Sequence, residues 1–191
     1  VKTALIIGAG SIGQKHILNL KKIGINNITA LRSKKGHYKK LPKELGVNEI
    51  DSWDDVKSIK PDIAIISNPS SLHIDSALKA SSNIKGIFIE KPISNNLTGC
   101  NQLIELLDHK KITSFVGHNL MFHPMIKEIR KFINENDIGE IINIQCQVGQ
   151  WLPDWHPYED YTKAYYARKD LGGGVALSLI HEIHLALDLA G

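Results

Sequence analysis

The sequence predicts an α/β fold built on a doubly wound parallel sheet, and three observations predict it. Apolar Ala4 to Ile7 feeds the glycine turn Gly8-Ala9-Gly10-Ser11-Ile12-Gly13, and a helical pattern with Gly13, Ile17, Leu20 and Gly24 on one stripe follows it. Apolar runs then alternate with helical patterns as far as Val116. Two of those runs, Asp62 to Ser67 and Gly86 to Ile89, are almost uninterrupted, as strands are when both faces of a parallel sheet are covered. Such alternation puts ligands outside the carboxyl ends of the strands.

The glycine turn has the dinucleotide-binding (Rossmann) spacing. Gly8 permits the tight turn, Gly10 lets the backbone approach a pyrophosphate, and Gly13 lets the helix pack directly on the strand. The first helical turn, at Ser11 and Ile12, offers unpaired N–H groups and the positive end of the macrodipole to the phosphates. Residues Ile28 to Leu31 read as the second strand, ending at Arg32-Ser33-Lys34-Lys35. Folds of this type place an acidic residue there for the ribose hydroxyls of NAD, and none is present. Arg32, Ser33 and Lys34 instead suit a 2′-phosphate, so NADP is expected in preference to NAD; the alternative is an ordinary basic loop.

Val47 to Ile50 reads as a short third strand and Trp53 to Ile59 as a helix. The strand Asp62 to Ser67 ends at Asn68-Pro69, where a helix capped by Ser70 or Ser71 begins. The strand Gly86 to Ile89 stops at Glu90-Lys91-Pro92, and a helix from Asn96 to His109 with a strand from Ile112 to Val116 completes the series. Gly8, Arg32, Asn68, Lys91 and Gly117 all fall at carboxyl ends of strands. The first domain is expected to span residues 1–119 and a second region residues 120–191.

The second region opens with a helix from Pro124 to Asn134 and a strand from Glu140 to Val148. The latter alternates Ile142, Ile144 and Cys146 with Asn143, Gln145 and Gln147. Residues 151–161 are rich in aromatics and prolines. Trp155, His156 and Tyr158 there suit sugar binding, and a packed connection between domains is the alternative. From Gly172-Gly173-Gly174 a helix, Val175 to Leu189, is expected to turn Ser178, His181, Glu182, His184 and Asp188 to one side. No metal is expected: His181 and His184 do not form H-E-x-x-H, and no third ligand accompanies them.

Composition narrows the class. At 191 residues the chain holds one full domain and part of another. No apolar run approaches the ~20 residues of a membrane span and nothing resembles a signal peptide, so a cytoplasmic protein without a membrane partner is expected. Cys100 and Cys146 form no C-x-x-C. Residues 1–43 carry ten Lys and Arg and no Asp or Glu, a field suited to an anionic cofactor or else a solvated basic face. One aromatic in that stretch and no groove-reading motif argue against nucleic acid.

Taken together, the glycine turn, Asn68-Pro69 with His73, Glu90-Lys91-Pro92, Asn119 with Phe122 and Pro124, and the triple glycine followed by His181-Glu182 resemble the Gfo/Idh/MocA family of sugar and polyol oxidoreductases. The resemblance covers almost the whole chain. It implies a Rossmann domain followed by an α/β domain with an open, mostly antiparallel sheet that carries oligomer contacts, hence a homo-oligomer when full length. It also implies that Asn68, Pro69, His73, Glu90, Lys91 and Asn119 attend the cofactor. Lys91 and His181 match the family's catalytic pair, joined by position 178, and Lys91, His181 and His184 face a small sugar or polyol substrate.

Two residues depart from that pattern: Ser178 replaces a customary carboxylate, and Met121 a common Arg. The chain also stops at Gly191, just after the histidine helix, so a C-terminally truncated second domain is expected. The first expectation is thus hydride transfer between nicotinamide and a secondary alcohol or ketone. A non-catalytic NAD(P)- and sugar-binding regulator and a redox-neutral NAD-dependent glycosidase are its alternatives.

Overall fold

A computed structural model describes residues 2–33, 40–157 and 159–191. Lys34 and Tyr158, assigned above to cofactor and substrate, lie outside the described residues. Strands β1 (Thr3–Ile7), β2 (Asn27–Leu31), β3 (Asn48–Ile50), β4 (Ile63–Ile66), β5 (Gly86–Ile89) and β6 (Thr113–Val116) form one six-stranded sheet. Every pairing is parallel and the order is β3-β2-β1-β4-β5-β6, so the winding reverses between β1 and β4. In open sheets of this winding, ligands bind at the carboxyl edge of that reversal.

Helices α1 (Ser11–Lys22), α2 (Trp53–Ile59), α3 (His73–Ala80) and α4 (Cys100–His109) flank the sheet. Alternate residues of a strand serve opposite faces, and the core divides accordingly. Leu5, Ile7, Ala64, Ile66, Ile87 and Ile89 pack toward Ile74, Ala77, Leu103 and Leu107, whereas Ala4, Ile6, Ile28, Ala30 and Ile65 pack toward Ile17 and Leu20 of α1. Cover on the α1 side thins toward β6, where Phe88, Phe115 and Phe122 form a chain of rings 5.7 Å apart and Phe115 is exposed.

Gly13 sits where α1 crosses the glycine turn, and an added Cβ would stand 2.2 Å from the Gly8 carbonyl oxygen. Gly8 has φ +88° and lies against the Asn68 backbone, 2.6 Å from such a Cβ. Gly10 opens onto free space.

The structure departs most from expectation in three places, two of them beyond β6. Residues 141–150 adopt no regular structure, with Ile142 almost fully exposed, and no described residue after Val116 lies in a strand. Alternation alone makes a strand only where a neighbour supplies the hydrogen-bond ladder, and none of the described residues does so. Helix α5 (Pro124–Asn134) keeps its expected bounds, with His123 Nδ1 accepting from the Met125 N–H at 3.2 Å. After the short α6 (Leu152–Trp155), the expected last helix divides into α7 (Val175–Ser178) and α8 (His181–Ala190), with a bend of 53° between Lys169–Ser178 and His181–Ala190. The Ser178 carbonyl, which a continuous helix would offer to the N–H of residue 182, instead accepts from the Lys91 ammonium at 2.7 Å.

Ser70 supplies the third difference. It starts a short 3₁₀ turn (Ser70–Leu72) and caps no helix; its hydroxyl donates to the Gly172 carbonyl at 2.9 Å. No single helix among the described residues is long and apolar enough to cross a membrane.

Adding a methyl group at Gly13 forces backbone apart, whereas the same change at Gly10 meets nothing. We expect Gly13→Ala to cost about 2–3 kcal/mol in chemical denaturation, in the range of overpacked interiors, and Gly10→Ala to leave the midpoint unmoved.

Candidate active site

The expected cofactor residues of the first domain that the structure describes occupy the carboxyl edge of the sheet, a turn leaving it, or the first turn of the helix that follows. Gly8 and Gly10 lie in the β1–α1 turn and Ser11, Ile12 and Gly13 open α1, whose first N–H groups have no side-chain cap. That bare helix end, the open space at Gly10 and the close fit of Gly8 and Gly13 suit a dinucleotide pyrophosphate. Asn68 and Pro69 follow β4. The Asn68 amide donates to Ser76 Oγ at 2.8 Å, while its Oδ1 is buried without a protein partner.

His73 is 2% exposed and braces this edge. Its Nδ1 faces the Pro92 carbonyl and its Nε2 the Asn68 carbonyl, both at 2.8 Å. Two acceptors would be met in full only by a doubly protonated ring; burial outweighs them and lowers the His73 pKa. The ring thereby ties the turn after β4 to the Lys91-Pro92 turn after β5, whose peptide bond is cis.

Arg32 leaves β2 as expected but is not a free cation. It is 5% exposed, its guanidinium pairs with the Glu49 carboxylate of β3, and its N–H donates to the Ile50 carbonyl at 2.9 Å. Ser33 is exposed beside it.

Glu90 is the hub of the edge. Its Oε1 lies 2.7 Å from Nε2 of His16 on α1, whose ring meets the edge of Phe88 at 5.0 Å. Its Oε2 accepts the Lys91 N–H at 3.2 Å. Burial works to raise the Glu90 pKa, and the His16 hydrogen bond and charge overcome it, leaving a net lowering. Burial lowers the Lys91 pKa, against the opposing pull of Glu90 and Glu182.

Lys91 reaches across to the break between α7 and α8, bringing the two expected catalytic side chains into one site. His181 begins α8, its pKa lowered by burial and by the Lys91 charge. Ser178 takes part through its main-chain carbonyl, and its own Oγ is buried without a partner. His184, one turn on, lies flat against His118, centroids 3.8 Å apart and planes 6° from parallel. His118 also meets the edge of His181 at 6.3 Å. Burial, His184 and His181 depress the His118 pKa to about 4.

Four atoms here, His118 Nδ1, Ser178 Oγ, His181 Nδ1 and Glu182 Oε2, are buried without a protein partner. Buried polar groups are ordinarily paired, so such a cluster marks a place for polar ligand atoms or water. No group of three His, Cys, Asp or Glu among the described residues could hold a metal ion. Asn119 is exposed at the start of a 3₁₀ turn, and Met121 is half-buried in the same turn.

The aromatic loop docks on the triple glycine. Gly174 N–H donates to the Tyr166 carbonyl at 2.9 Å, and a Cβ on Gly173 would stand 2.3 Å from the Tyr165 carbonyl oxygen. Trp155 and His156 stack on each other and against buried Tyr166, at 5.0 and 5.5 Å from its ring, so packing occupies much of their surface. Tyr165, whose pKa burial raises, also feels Glu90 and Glu159. Sequence reasoning missed Tyr165, His16, His118 and Glu49. The helical offset of His16 from Gly13 was the one available signal.

A parallel six-stranded sheet with this glycine turn at its winding reversal defines a Rossmann-type fold. The family model described as "Oxidoreductase family, NAD-binding Rossmann fold" matches residues 2–118, and the GFO/IDH/MocA C-terminal domain matches residues 126–191. The chain belongs to the Gfo/Idh/MocA family. It is 24% identical over 190 residues to myo-inositol 2-dehydrogenase of Thermotoga maritima, covering 97% of this chain and 54% of that one. It is 28% identical over 152 residues to 2,7-anhydro-N-acetylneuraminate hydratase of Escherichia coli, covering 79% and 40% respectively.

Among solved structures, an NAD binding oxidoreductase from Klebsiella pneumoniae superposes with TM-score 0.74 at 19% identity, covering all of this chain and 53% of that one. An apo scyllo-inositol dehydrogenase from Lactobacillus casei superposes with TM-score 0.64 at 24% identity over 74% of this chain and 44% of that one. These likenesses establish the fold. The chain spans about half the length of the curated relatives it matches, or less.

His118 carries a sign that titration reads. A histidine held neutral in the fold but protonated when unfolded makes the unfolded state bind more protons at acid pH. Stability is therefore full above the ordinary histidine value near 6.5 and declines as pH falls from there toward about 4. We expect the His118 ring resonances to titrate near pH 4 by NMR, and His118→Phe to lessen the decline in melting temperature over that interval.

Proposed function

We propose that the chain is the cofactor domain and part of the substrate domain of an NAD(P)-dependent oxidoreductase acting on a secondary alcohol or ketone of a sugar, sugar derivative or polyol. One observation carries this reading: the Lys91 ammonium, leaving the carboxyl edge of the sheet, donates to the Ser178 carbonyl at the break before His181, whose imidazole feels the Lys91 charge, among buried polar atoms without partners. The domain boundary proposed is 1–119 and 120–191.

Nicotinamide, when bound, supplies a hydride acceptor or donor. The chain's own residues manage the proton and the charge. Lys91 uses one donor on Ser178 and keeps two for the substrate oxygen, where its charge stabilises a developing alkoxide. His181, its pKa lowered, stays neutral at lower pH than a free imidazole and takes the hydroxyl proton. Glu90 and Glu182 oppose the effect of burial and favour the charged form of Lys91. His184 lines the site through its stack on His118. Trp155, His156 and Tyr158 are assigned to the sugar on their amphipathic chemistry.

NADP is the cofactor we propose in preference to NAD, on Arg32 and Ser33 at the end of β2 with Lys34 following in sequence. We further propose a cytoplasmic protein that forms homo-oligomers when full length and engages neither membrane nor nucleic acid. A redox-neutral variant has one observation in its favour, since the Escherichia coli relative is named a hydratase. Product formation without net change in NADPH absorbance distinguishes it.

Calorimetric titration of the chain with NADPH and NADH tests the cofactor half: NADPH should bind in the micromolar range and NADH more weakly. Arg32→Ala should weaken NADPH far more than NADH, and equal losses overturn the NADP assignment. For the chemistry, Lys91→Ala in the catalytically complete protein should lower turnover by about 100-fold or more while sparing cofactor binding, as loss of an electrostatic stabiliser does. The acid limb of the alcohol-oxidation profile should fall below the ordinary histidine value near ~6.5, because His181 is the base.

A further inference from the structure

We infer that Glu49 narrows the NADP preference of this chain by opposing Arg32. The inference rests on the dinucleotide reading above. Parallel pairing of β2 with β3 places Ala30 beside Glu49 and Leu31 beside Ile50, and the Arg32 N–H extends that ladder to the Ile50 carbonyl. Ala30 and Arg32 are two residues apart in extended chain and share a face. Glu49, level with Ala30, therefore rises on the same side as Arg32, and its carboxylate meets the guanidinium.

Arginine at the end of β2 would by itself favour a 2′-phosphate. Here its charge is already countered, in a pair that leaves the arginine side chain 5% and the glutamate side chain 34% exposed. The exposed part of the pair is thus chiefly the carboxylate. An entering 2′-phosphate gains donors from Arg32 and meets a negative charge beside them, whereas a ribose diol gains an acceptor. Glu49 thus restores, from β3, the acidic group that this fold ordinarily places on β2. What Glu49 controls is the margin between the two cofactors.

The test is calorimetric titration of the 191-residue chain and its Glu49→Gln variant with NADH and with NADPH, at one ionic strength. The glutamine amide keeps an acceptor for Arg32 and removes the charge, and a melting curve checks that the variant is folded. We expect the ratio of the NADH to the NADPH dissociation constant to rise about tenfold or more, by tighter NADPH and weaker NADH. If the Glu49→Gln change unfolds the chain, Glu49→Asp, which shortens the carboxylate's reach, should move the ratio in the same direction by a smaller factor. An unmoved ratio in a folded variant overturns the assignment of Glu49 alone. A wild-type chain that binds neither cofactor overturns the dinucleotide reading and this assignment with it.

Discussion

The contact on which the structure depends is the approach of α1 to the turn that precedes it. With no Cβ at Gly13, the helix lies against the Gly8 carbonyl, and with none at Gly8 the turn lies against the Asn68 backbone. These two absences draw β1, α1 and β4 together where the winding reverses. A side chain at either glycine would wedge these elements apart, and the helix N-terminus would no longer face the same edge as the turns carrying Asn68 and Glu90. The remaining edge residues take their places from that geometry.

What stands on the edge is held by long-range polar contacts. His73 ties the turn after β4 to the turn after β5, Lys91 reaches the break before α8, and Ser70 fastens the triple glycine. Arg130 of α5 donates from Nε to Asp188 of α8 at 2.9 Å and steadies the far end of the histidine helix. Each contact spends a polar group on position. The four atoms left without partners lie together beside His181 and His118, where the alternative to pairing is contact with a ligand or water.

Sequence and structure agree most closely where local pattern decides the outcome. Ile63 to Ile66 and Gly86 to Ile89 are strands because their apolar runs suit burial on both faces, and Ser52 caps α2 with its hydroxyl accepting from the Asp54 N–H. Pro124 opens α5 as its fixed φ allows. The expectations that failed were those that needed a distant partner. Residues 140–148 have the alternation of a strand and no ladder to join among the described residues, and the last helix breaks where a lysine 87 positions earlier takes a carbonyl out of it. The site divides along the same line. The spacing of the glycine turn and the strand ends locates Gly8 and Lys91 at the carboxyl edge, whereas His181 is singled out by the resemblance of the triple glycine and His181-Glu182 to the family pattern. The Glu49 partner of Arg32, the His118 stack on His184 and the nearness of Tyr165 to Glu90 arise from strand register and chain crossing, which no local window contains.

The bond between His16 and Glu90 has a mechanical meaning as well as an electrostatic one. His16 stands on the helix whose first turn faces the carboxyl edge, and Glu90 immediately precedes Lys91. Helix and lysine turn are thereby joined through one carboxylate at the middle of the edge, so that the placement of the first fixes the placement of the second.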